Sequence, residues 1–60
     1  MEPKVYKTLR DAKAERDAML GWDAVIVKSV DAYGWMIECY ELETGRTGRP
    51  GYMCEDGYVR

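Results

Sequence analysis

The chain has 60 residues, 47% of them hydrophobic, and a net charge of −2 from nine Lys and Arg against eleven Asp and Glu. That is one domain, residues 1–60, with apolar content enough for a small core and too much for general disorder. The interleaved charges exclude a bulk electrostatic pull toward nucleic acid or an anionic membrane, and a chain this short buries only about 60% of its unfolded surface, so its stability is marginal.

The first segment, MEPKVYKTLRDAK, is charged and carries no apolar run. Neither a signal peptide nor a membrane span is expected there, which points to the cytoplasm, where thiols stay reduced. Residues 4–8, KVYKT, read as a short strand, with Pro3 limiting what can pair before it. The stretch TLRDAKAERDAMLGW then reads as a helix. Thr8 is its N-cap, with Asp11 where a capping-box acid would stand, and Gly21 is expected as a left-handed residue just past the end. Leu9, Ala12, Met19 and Leu20 fall on one stripe at helical spacing. Arg16 lies in that stripe, so its stem should run along the sheet while its guanidinium reaches an edge.

DAVIVKSVD, the turn AYG and WMIECYELE follow as a β-hairpin rich in β-branched and aromatic residues. In its first strand Ala24, Ile26 and Val30 share one side, and Val25 and Val27 the other. In its second strand Trp35, Ile37 and Cys39 share one side, and Met36, Tyr40 and Leu42 the other. A half-exposed antiparallel strand alternates more cleanly than this. Residues 44–51, TGRTGRPG, hold no apolar side chain and read as a polar, mobile loop. In the last stretch, YMCEDGYVR, the pair Asp56-Gly57 favours a type I′ turn between residues 52–54 and 58–59.

The expected fold is therefore α+β, ordered β-α-β-β(-β), with one helix packed on a small antiparallel sheet. One helix covers one face. The other keeps apolar side chains for a partner or for a second copy of the chain.

Catalytic chemistry is thinly supplied. The chain has no His, which removes the commonest general base and metal ligand, and Ser29 is the only serine. Cys39 and Cys54 lack the spacing of a zinc motif. A disulfide between them would close a loop of about 16 residues, worth on the order of 3 kcal/mol, but a reducing compartment favours two thiols. Glu38, Glu41 and Glu43 on one strand, with Glu55 and Asp56 beyond, read as solvated acids. No enzyme activity and no cofactor or metal is expected.

Binding chemistry is better supplied. Five Tyr, two Trp and four Met with no Phe is a set enriched at interface cores. Arg46 and Arg49, three apart in the Gly-rich loop, suit a phosphate or a partner's carboxylates, though the loop has no phosphate-binding fingerprint. The candidate partner-binding residues are Tyr33, Trp35, Tyr40, Arg46, Arg49 and Tyr52.

Across residues 4–42, the layout YKTLRDAKAERDAMLGWDAVIV…GWMIECYE, a strand into a Thr-capped helix into a hairpin, resembles small phage-encoded proteins of the anti-CRISPR type and phage inhibitors of host polymerase. The resemblance implies a protein that binds and blocks a large host complex in the host cytoplasm, without catalysis or cofactors. Two other expectations stand beside it: a nucleic-acid module using sheet aromatics and the Arg loop, and a homodimer that buries the second sheet face.

Overall fold

The computed structural model describes residues 2–29 and 33–60. Helix α1 spans Leu9–Ala18, strand β1 Trp22–Lys28, strand β2 Trp35–Glu41 and strand β3 Gly51–Tyr52, with a 3-10 turn at Gly45–Thr47 between the last two. The sheet is antiparallel in the order β1-β2-β3. This is the small α+β fold expected, one helix on a three-stranded sheet.

Helix α1 starts where its cap places it. Thr8 is extended (φ −126°, ψ 150°), and its hydroxyl accepts the Asp11 backbone N–H at 3.1 Å, relieving one of the orphan donors of the first turn. The end departs from expectation. Met19, at φ −90° and ψ 77°, leaves the helical region, and its N–H closes back onto the Arg16 carbonyl in a tight last turn. The helix is over before Gly21, which does not adopt positive φ. Leu20 consequently falls off the helical stripe and stands 89% exposed. Only Ala12 is fully buried along the helix, with Met19 packed beside it. Arg16 is half-buried, as a snorkelling stem should be, and its guanidinium meets Asp17 at 3.1 Å.

The hairpin register runs from Trp22 opposite Glu41 to Lys28 opposite Trp35. Trp22, Ala24, Ile26, Trp35, Ile37 and Cys39 therefore share the inner face, against Tyr6, Ala12, Met19, Met53 and Val59. Ile37 and Cys39 are completely buried. Burying a side chain the size of Ile37 contributes about 1.5–3 kcal/mol. Val30 and Ala32, expected on the inner face and in the turn, lie outside the described residues.

Residues 3–6 form no strand of their own. They wedge between β2 and the segment after β3. Tyr6 and Trp35 exchange two backbone hydrogen bonds at 2.7 and 2.8 Å, while the Lys4 N–H donates to the Met53 carbonyl at 2.8 Å. Gly34 makes this possible. Its φ is +143°, and a Cβ there would lie 2.5 Å from the Tyr6 carbonyl oxygen and 2.6 Å from a Val5 methyl.

The chain closes in the expected terminal hairpin. Tyr52 and Arg60 exchange backbone bonds at 3.0 Å, and the Cys54 N–H donates to the Tyr58 carbonyl at 3.0 Å. Its turn is not type I′, because Gly57 alone has positive φ (+87°) and Asp56 does not. The Gly57 N–H bonds back to Cys54, making a three-residue loop with the glycine at its left-handed position. Nor is the polar segment of residues 44–51 a featureless loop. Thr44 Oγ1 donates to the Glu41 carbonyl at 3.5 Å, Thr47 Oγ1 to the Thr44 carbonyl at 2.6 Å, and the Gly48 N–H to the Gly45 carbonyl at 3.2 Å. Threonine hydroxyls thus bond the backbone where no apolar side chain is available to pack.

Candidate functional site

The outer face of the sheet follows from the same register. Asp23 lies opposite Tyr40, Val25 opposite Glu38, Val27 opposite Met36, and Tyr52 adds to Glu38 from the far side. All of these residues are half-buried, and none belongs to the core cluster. Helix α1 packs on the inner face, so the outer face keeps a strip of Val25, Val27 and Met36 beside a polar group.

That group is built on Glu38. The Tyr40 hydroxyl donates to Glu38 Oε1 at 3.2 Å and the Tyr52 hydroxyl to Glu38 Oε2 at 2.9 Å. Residues 38 and 40 share a strand face, and β3 brings residue 52 alongside. Both phenol pKa values rise above their ordinary 10.0. Loss of solvent leads for Tyr40, and the hydrogen bond to the Glu38 carboxylate leads for Tyr52. Next to Tyr40, the exposed Arg46 places its Nε 3.5 Å from Oδ2 of the half-buried Asp23, a solvent-accessible pair that contributes at most about 1 kcal/mol.

The structure gathers three of the six expected binding residues. Tyr40 and Tyr52 meet through Glu38, and Arg46 joins them through Asp23. The other three lie elsewhere. Trp35 turns to the inner face, packs on the core and has the Lys28 ammonium 5.9 Å from its ring. Tyr33 stands fully exposed beside the hairpin turn. Arg49 is exposed and makes no ion pair among the described residues. Sequence reasoning missed Glu38 and Asp23 as the groups that orient these side chains. The i, i+2 spacing of Glu38 and Tyr40 was visible, but Tyr52 reaches Glu38 only through the β2–β3 register. Leu42, expected on this face, falls past the end of β2 and is exposed.

Both cysteines are buried thiols. Burial pushes the Cys39 pKa above its usual value, against the lowering effect of a backbone hydrogen bond from Met53. A buried thiol held protonated is a poor nucleophile. Among the described residues no group of three or more His, Cys, Asp or Glu side chains is placed to hold a metal ion, and no helix is long and apolar enough to cross a membrane.

Comparison of the chain with known protein families, with curated proteins and with solved structures finds no match.

Proposed function

We propose that the chain is a non-enzymatic protein-binding module, an inhibitor or adaptor that works by stoichiometric occupation of another protein or nucleoprotein complex. The observation that carries this reading is the outer face. Val25, Val27 and Met36 lie on a sheet surface that the helix leaves open, beside two tyrosines whose hydroxyls are already oriented by one carboxylate. Orienting Tyr40 and Tyr52 before binding reduces the rotamer entropy that docking would cost. An apolar centre with tyrosines and an arginine at its side is the composition of an interface hot spot. The resemblance to small phage-encoded inhibitors of the anti-CRISPR type, a likeness of layout, agrees with such a role in a host cytoplasm. A nucleic-acid partner is less favoured, because the Glu38 carboxylate at the middle of this face would repel phosphate and Arg46 is engaged by Asp23.

The test is a comparative capture from bacterial lysate with immobilised wild-type chain, Tyr40→Ala, Met36→Glu and the helix variant Lys13→Ala. Expected is one partner at near one-to-one stoichiometry with the wild type and with Lys13→Ala. Tyr40→Ala should weaken capture by about 30-fold, the loss typical of an interface anchor, and Met36→Glu should abolish it. A partner retained equally by all four chains would show that the outer face is not the binding surface.

A further inference from the structure

The β1 edge of the sheet points to a second interaction, independent of the outer-face reading. In the hairpin the Ser29 N–H donates to the Gly34 carbonyl at 3.0 Å, and on the other side of β2 the Met53 N–H donates to the Ile37 carbonyl at 3.1 Å. These two bonds fix the phase of the ladder. Even-numbered residues of β2 bond β1, odd-numbered ones face β3, and in β1 it is Asp23, Val25 and Val27 that bond β2. The backbone N–H and C=O groups of Trp22, Ala24, Ile26 and Lys28 therefore point away from the sheet. β1 is the outermost strand, and nothing among the described residues bonds to those groups.

Such an edge is a template for another strand unless something blunts it. The sequence WDAVIVK has no Pro and no bulge, and its single Lys sits at the end. The opposite side of the sheet is managed differently. There β3 is two residues long and is covered by the terminal segment through the Tyr52–Arg60 bonds.

We propose that β1 pairs with β1 of a second copy of this chain, antiparallel about a two-fold axis at Val25, joining two three-stranded sheets into one. With that axis all seven residues of β1 overlap. The outward groups of Ala24 meet those of Ile26 in the second copy, and Trp22 meets Lys28. Those are the two pairings the ladder phase permits as hydrogen-bonded. The side chains agree with it. Val25 stands opposite its twin, a β-branched cross-strand pair. Asp23, the one acid of the strand, faces Val27, and Lys28 faces the indole of Trp22, a second aromatic for an ammonium already near Trp35. No like charges oppose one another. Shifting the axis to Ile26 would put Trp22 opposite residue 30, past the end of β1. Self-complementarity of this kind favours the twin over an unrelated partner strand.

The test is light scattering on the full chain over a dilution series, with amide hydrogen exchange at each end of it. Expected is a mass approaching twice 6.9 kDa at millimolar concentration and returning to 6.9 kDa on dilution, with the Ala24 and Ile26 amides protected only in the concentrated sample. Ala24→Pro removes an outward N–H that the β1–β2 ladder does not use, so it should leave the hairpin folded and the chain monomeric throughout. Lys28→Pro does the same at the exposed end of the strand, should the first variant fail to fold. A wild-type chain that stays at 6.9 kDa at millimolar concentration, a dimer whose Ala24 and Ile26 amides exchange freely, or a dimer that survives in a folded proline variant would each overturn the pairing.

Discussion

The two faces of the same hairpin differ in what their apolar side chains touch. On the inner face Ile37 and Cys39 are sealed by Ala12, Met19, Tyr6 and Met53, drawn from the helix, the N-terminal segment and the terminal hairpin. On the outer face Val25, Val27 and Met36 are half-buried and lie outside the core cluster, and Glu38 spreads its two oxygens between two tyrosines. Both faces read as apolar in the sequence. Only the inner one joins the core cluster, because the ten-residue helix and the wedge of extended chain pack on that side. The difference separates residues packed into the core from residues left outside it.

The largest effect should come from the inner face. At roughly 0.05–0.15 kcal/mol per residue, a 60-residue chain has about 3–9 kcal/mol of stability. Ile37→Ala should remove about 2–5 kcal/mol of it, leaving much of the population unfolded in a urea titration. Gly34→Ala comes next. It places a methyl group against the Tyr6 carbonyl and Val5, at a φ that L side chains rarely adopt, and should cost about 1–3 kcal/mol, read as a lowered thermal midpoint.

A pH titration sharpens the contrast further. Tyr6 is buried, and loss of solvent, followed by the nearby Glu15 carboxylate, pushes its phenol from 10.0 up to about 12. Folding therefore favours the neutral phenol. Its contribution is fully present below pH 10 and is lost as pH rises through about 12. Tyr6→Phe should flatten that alkaline decline while leaving the neutral-pH fold intact, measured by circular dichroism between those limits. The smallest effect belongs to the outer face. Tyr52→Phe removes one hydroxyl from Glu38 at a solvent-accessible site and should cost no more than about 1 kcal/mol in a urea titration.

How much of this was legible in the sequence depends on how local the signal was. The hairpin was legible because its β-branched run and Gly34 act over a few residues. The helix start was legible because Thr8 sits three residues before the N–H that it caps. The helix end was not: Met19 leaves the helix at φ −90° and Gly21 takes no positive φ, so the expected left-handed glycine stop is not used. The threonines of residues 44–51 bond their own backbone, which a count of apolar residues does not reveal. The placement of residues 3–6, and the meeting of Tyr52 with Glu38, depend on pairings between distant segments that no local pattern encodes. The grouping of Trp35 with Tyr40 and Tyr52 as anchors failed for a different reason: the alternation read from the sequence already put Trp35 and Tyr40 on opposite sides of their strand, and the structure turns the Trp35 side inward.

The division of labour between the faces is tested most directly by the double variant Val27→Lys/Met36→Glu, a cross-strand pair on the outer face. Its stability in urea should lie within about 1 kcal/mol of the wild type with an unchanged slope, since the new charges face solvent and oppose each other with opposite sign. A loss as large as that of Ile37→Ala would mean that the outer face is part of the folding core and has no surface to spare.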